Sequence, residues 1–160
     1  MSNGRGGTAQ REILQAYQRR AVPENAAMTT PLAPDPACPC GSAHPLSACC
    51  GRYHAGPLAG QAPTAEALMR SRYSAFVLDR LDYLLSTWHP STRPATLAPN
   101  EPGLRWLGLT VRHHRLHDPD HAEVSFVARS KLGGRAHRLE EVSQFVREDG
   151  RWHYVTGALR

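Results

Sequence analysis

Four cysteines carry the most specific chemistry in this chain. Cys38-Pro39-Cys40 and Cys49-Cys50 stand eight residues apart, a spacing that crowds four thiols into a short segment. Thiolates are soft ligands, and four of them close a tetrahedral shell around Zn²⁺ with no position left for water or substrate, so the expected role of the metal is structural. Disulfides suit the pattern less well: adjacent Cα atoms lie about 3.8 Å apart, below the usual window of about 4.4 to 6.8 Å. The segment Met1 to Gly7 has no apolar run of the kind a secretory signal needs, and clustered cysteines in a reducing compartment point to metal. A cross-bridged pair is the alternative. Gly41 can take a positive φ that turns the chain back, and N–H groups near Gly41 and Ser42 can donate to the sulfurs. His54, four residues past Cys50, is the alternative fourth ligand, though a place beside the site or on the surface suits it better. His44 is expected at the surface.

A second constellation is weaker. Strand alternation puts Leu139, Glu141, Ser143 and Phe145 on one face, and Glu123, Ser125, Val127 and Arg129 on one face of another strand. If the first row faces a cavity, Glu141 is a candidate general base, and Arg70, Tyr73, Trp88, His89 and Trp106 are candidate lining residues for a ligand pocket. The competing reading makes Glu141 the partner of Arg70 or Arg72 in a structural ion pair, with the tryptophans as core. The chain contains no nucleophile elbow, phosphate loop or Cys-x-x-C redox motif, so no catalytic residue is assigned beyond that candidate.

These residues need elements to position them. A helix is expected to start at Thr64, a good N-cap, with Glu66 in the first turn and Met69, Tyr73, Phe76 and Val77 on one face. A second follows, with Leu81, Leu84, Leu85 and Trp88 at helical spacing, and stops before Pro90. Beyond it, Asp118-Pro119-Asp120, Gly133-Gly134 and Asp149-Gly150 cut the chain into four strand-like runs, 104–117, 121–131, 135–148 and 151–158. Such short connections make hairpins, and hence an antiparallel meander. The expected fold class is α+β: a curved antiparallel sheet with helices on one face, its concave side a natural pocket.

The organisation expected is a Pro-rich N-terminal extension over 1–36, a zinc knuckle over 37–56, a flexible Gly/Pro connection, and the sheet domain over 62–160. Within the extension, Arg11 to Arg20 reads as a short helix, and Met28 opens a credible start of its own. The net charge of +5 is spread thinly: residues 101–160 mix ten basic with eight acidic side chains, without blocks of one sign. A solvated mixed surface follows, and nucleic acid is not an expected partner. No run of about 18 apolar residues offers a membrane span, so a cytoplasmic place is expected.

Cys38-Pro39-Cys40-Gly41-Ser42 with Cys49-Cys50-Gly51 resembles the SEC-C zinc motif, also found at the C-terminus of the translocation ATPase SecA. Leu68 to Phe76, Thr87 to Ser91, Arg105 to Thr110, Val124 to Arg129 and Trp152 to Gly157 resemble the bacterial YchJ family. The resemblance spans roughly residues 37 to 157. It implies a SEC-C knuckle followed by an NTF2-like cone of helices and curved sheet. Some relatives carry a second SEC-C motif at the C-terminus, whereas Gly157-Ala158-Leu159-Arg160 holds no cysteine, so one metal site is expected. The resemblance implies an accessory or adaptor protein, its knuckle for another protein and its NTF2-like domain as a ligand or partner platform. The alternative is a small-molecule enzyme of hydrolase or isomerase type with a purely structural zinc.

Overall fold

The computed structural model describes residues 34–160, and the expected helix over Arg11 to Arg20 and most of the N-terminal extension lie outside them. Three helices, α1 (Gly51–His54), α2 (Ala65–Val77) and α3 (Leu81–Ser86), precede four strands, β1 (Arg105–Asp118), β2 (His121–Leu132), β3 (Arg135–Glu148) and β4 (Arg151–Leu159). The strands form an antiparallel meander in the order β1-β2-β3-β4. Every strand end falls within one residue of its expected place. Asp149 and Gly150 both take positive φ, 51 and 74°, as a type I′ hairpin turn requires. Register shifts at Trp106/Gly108, Val111/His113 and Leu116/Asp118 along β1, and at Gln144/Phe145 between β3 and β4, are the bulges that bend long strands into a concave sheet.

The concave face carries Val124, Phe126 and Ala128 of β2, Ser143 and Phe145 of β3, and Trp152 of β4, all buried. On β3 the row 139, 141, 143, 145 thus faces inward, whereas on β2 it is the even-numbered row that does so. Helix α2 lies against this face. Thr64 Oγ1 accepts from the N–H of Ala67 at 3.0 Å, with Glu66 in the first turn, so the start is capped as expected. Its burial is wider than one stripe. Leu68, Met69 and Tyr73 are buried, but so are Ser71, Arg72, Ser74 and Ala75, because the sheet, α3 and the cysteine knuckle cover it from different sides.

Helix α3 ends two residues short of the expected Trp88. The N–H of Tyr154 donates to Thr87 O at 2.8 Å and the N–H of His89 to Tyr154 O at 2.7 Å, so pairing with β4 takes over from the helix. An extended chain sends successive side chains to opposite sides, which separates Trp88 from His89.

Candidate metal centre and ligand cavity

The four sulfurs of Cys38, Cys40, Cys49 and Cys50 all lie within 4.8 Å of one another, with Cys40 and Cys49 3.7 Å apart. A Zn–S bond of about 2.3 Å implies tetrahedral S···S edges of roughly 3.8 Å, so the donor set fits a tetrahedral, thiophilic ion. Gly41 turns the chain at φ 83°, and the Ser42 and Ser74 hydroxyls lie 3.1 Å from Cys49 Sγ and 3.5 Å from Cys38 Sγ. Such donors stabilise thiolate charge. Without a cation the cluster is internally conflicted. The crowded sulfurs and burial push the Cys50 thiol up while the neighbouring Cys50 and Ser42 hold Cys40 down. A bound cation resolves the conflict by keeping all four deprotonated.

His54, the alternative fourth ligand, lies outside the sulfur cluster. Its Nε2 donates to Ser71 O at 2.8 Å, its ring meets Tyr83 edge-on at 4.7 Å, and burial lowers its pKa. It anchors the knuckle to α2 instead. Arg70, expected in the ligand pocket, does likewise: Nη1 donates to Cys40 O at 3.3 Å and Nη2 sits 3.7 Å from Glu66. Tyr53 of α1 belongs to the same core as Leu68 and Tyr83. The flexible connection expected after the knuckle is an ordered turn, closed by Gly60 N–H to Tyr53 O at 2.9 Å and Ala59 N–H to Gly56 O at 3.1 Å. Residues 34–160 form one compact unit.

Between α2 and the concave sheet lies a cavity of about 190 Å³. Tyr73, Trp88, Trp106 and Glu141 line it, as expected; Arg70 and His89 do not. His89 points the other way, its Nε2 3.0 Å from Glu148 and its Nδ1 2.6 Å from Ser91. In their place stands Arg72. On α2 the lining residues are Met69, Arg72, Tyr73 and Phe76, an i, i+3, i+4, i+7 set that sequence spacing alone could have found.

Arg72 is 3% exposed. Its Nη1 donates to Leu84 O at 2.8 Å and Thr87 Oγ1 at 2.7 Å, and its guanidinium lies over the rings of Tyr154 (4.6 Å) and Trp88 (5.2 Å). Desolvation lowers its pKa to about 10, which leaves it cationic at neutral pH. The expected Glu141–arginine ion pair does not form. Glu141 Oε1 accepts instead from Ser143 Oγ at 2.8 Å and Tyr154 OH at 3.2 Å. Burial, and the nearby carboxylate, push Tyr154 up to about 12, so its hydroxyl remains a donor.

A four-thiol knuckle docked on a helix-covered, curved meander defines an NTF2-like protein with a SEC-C-type metal motif. The comparisons agree. The family model described as "YchJ, middle NTF2-like domain" matches residues 64–157. A UPF0225 protein of Bordetella parapertussis is 56% identical over 133 residues, covering 83% of this chain and all of its own. Another, from Methylibium petroleiphilum, is 65% identical over 122 residues, 76% of this chain and 88% of its own. The chain belongs to this YchJ-like UPF0225 family. Among solved structures, a SEC-C motif containing protein from Rhodopseudomonas palustris superimposes with a TM-score of 0.64 at 31% identity, covering 76% of this chain and 96% of its own. One from Psychrobacter arcticus gives 0.61 at 30% identity, with coverage of 77% and 82%. No helix among the described residues is long and apolar enough to cross a membrane.

Proposed function

We propose that the protein is a zinc-structured accessory protein of the cytoplasm, in which the knuckle presents its outer turn to a protein partner and the NTF2-like domain offers its cavity to a small ligand. One observation carries the reading: α2 both anchors the knuckle, through Arg70, Ser71 and Ser74, and walls the cavity, through Met69, Arg72 and Tyr73. Metal and ligand therefore share a scaffold. Zinc is the ion assigned, because a closed tetrahedral site of four thiolates suits a d¹⁰ ion and leaves nothing open for chemistry. The outer turn, with Gly41, Ala43, His44, Ser47 and Ala48 exposed, is what remains for a partner.

The test is native purification of the full chain, with elemental analysis and native mass spectrometry. One zinc per chain is expected, with a small molecule retained in the cavity. A protein that binds the chain should be lost on His44→Glu with Ala48→Arg while the zinc stays. Iron in place of zinc, or partner binding indifferent to those substitutions, would overturn the corresponding half. A second reading, as a small-molecule enzyme, is favoured by Glu141 sharing the cavity with Arg72, a base and a cation in one apolar enclosure. Conversion of the retained molecule on incubation, abolished by Glu141→Gln, would establish it.

A further inference from the structure

The cavity holds one cation and too few partners for it. Arg72 is buried, yet its Nε and Nη2 donors have no hydrogen-bond acceptor among the described residues, and no carboxylate there lies within ion-pairing distance. A desolvated guanidinium that lines a cavity and engages the protein through one nitrogen keeps a fork of donors matched to an oxyanion. Apart from Glu141, Ser143 and Tyr154 the remaining walls are mostly apolar, among them Phe76, Trp106, Phe126 and Leu139. The volume sets the scale. An apolar cavity of about 150 Å³ accepts benzene, so about 190 Å³ suits one ring or branched chain plus a small head group.

Resting on the reading of this cavity as a ligand platform, we propose that its ligand is a small monocarboxylate with a single apolar ring or branched body, the carboxylate seated on Arg72 and the body against the tryptophans. Glu141 sets the other limit. Its carboxylate, fixed by Ser143 and Tyr154, repels a second negative charge and favours a hydroxyl or other donor at that end. Dicarboxylates are thereby excluded.

Titration calorimetry and ligand-observed NMR on the full zinc-loaded chain decide this, with benzoate, neutral benzamide and benzene-1,4-dicarboxylate as probes. Benzoate should bind at least about tenfold more tightly than benzamide, the factor a charge-assisted pair supplies, and the dicarboxylate should not bind. Ala128→Leu, which fills the cavity from the sheet side and leaves Arg72 alone, should abolish benzoate binding. Glu141→Gln should preserve it and admit the dicarboxylate. Arg72→Gln should equalise benzoate and benzamide; if that variant does not fold, the comparison of the two probes on the unaltered chain still decides. Equal binding of both by the unaltered chain would overturn the carboxylate assignment and leave the ligand platform standing. If no probe binds and the native chain carries no molecule, the platform reading falls as well.

Discussion

The knuckle and the cavity each gather polar groups that the protein cannot satisfy by itself, and they differ in how complete the gathering is. Four thiols converge within 4.8 Å, enough donors to complete a tetrahedral coordination shell. In the cavity, Arg72 has two acceptors on one nitrogen and two mutually perpendicular aromatic rings beside it, and its Nε and Nη2 donors have no acceptor among the described residues. A closed site stabilises; an open one recognises. The same helix serves both, which makes the contrast testable residue by residue.

The largest effect should come from breaking the closed site. Cys40→Ser removes a buried ligand and with it the metal, and the knuckle then loosens its hold on α2 at Arg70, His54 and Ser74. Three such contacts at about 1 kcal/mol each amount to roughly 3 kcal/mol, a drop in Tm of roughly 10 °C for a unit of this size. Calorimetry of native, chelator-treated and Cys40→Ser protein measures it. Should the variant lose its metal yet melt within a degree or two of the native chain, the knuckle is a passenger and its packing on α2 contributes little.

A smaller loss is expected at the seam. Tyr83 OH lies 2.7 Å from Ser71 Oγ in a buried contact, while Ser71 also donates to Leu68 O at 2.8 Å. Tyr83→Phe removes one bond and leaves Ser71 with a partner, so about 1 kcal/mol should go, read from denaturant midpoints at unchanged m. Next comes pH. Burial depresses His54 and His153 below their ordinary 6.5, so the unfolded chain takes up protons first. Their contribution is full above about pH 6.5 and drains away as pH falls from there toward the folded-state values. His54→Gln should flatten the stability curve in that window, by a fraction of the roughly 1.4 kcal/mol per pH unit that one whole proton supplies. An unchanged slope would mean that His54 takes up protons equally in the folded and unfolded chains.

The sequence made some of this legible for physical reasons that can be named. Turn residues with special backbone demands mark their positions locally, so Asp149-Gly150 and Gly133-Gly134 placed the strands. Thiol spacing is likewise local, and the metal cluster was readable from it. What depends on which surfaces meet was not. Arg70 and Arg72 differ by two positions in one helix, and a one-sided amphipathic reading could not see that α2 is covered from several directions; the small residues Ser71, Ser74 and Ala75, spaced for close approach, were the available sign. Trp88 and His89 are adjacent in sequence, but the bridge to β4 sends their side chains apart. The stretch Gly56 to Pro63 looks like a linker by composition, yet it closes on Tyr53 through backbone bonds that composition does not encode.

The smallest expected effect on stability is also the sharpest probe of the open site. Gly157 pairs with Ser143 across β3 and β4, and a Cβ built there would collide with the Glu141 carboxyl group. Its backbone has no positive φ, so alanine is conformationally acceptable and should even favour the strand by about 0.5–1 kcal/mol. Against that, the carboxylate must leave Ser143 and Tyr154, surrendering two bonds of about 1.5 kcal/mol or more each, partly regained because a half-buried carboxylate can turn to water. Hydration and the strand preference offset most of that loss, and Gly157→Ala should lower Tm by no more than a few degrees. Its effect on recognition should be much larger, since the charge that rejects a second anion is displaced from the cavity. The variant is therefore expected to melt almost normally and to accept benzene-1,4-dicarboxylate as Glu141→Gln does. A fall in Tm as large as that of Cys40→Ser, with probe binding unchanged, would place Glu141 among the groups that hold the fold together and leave the cavity with Arg72 alone to define its ligand.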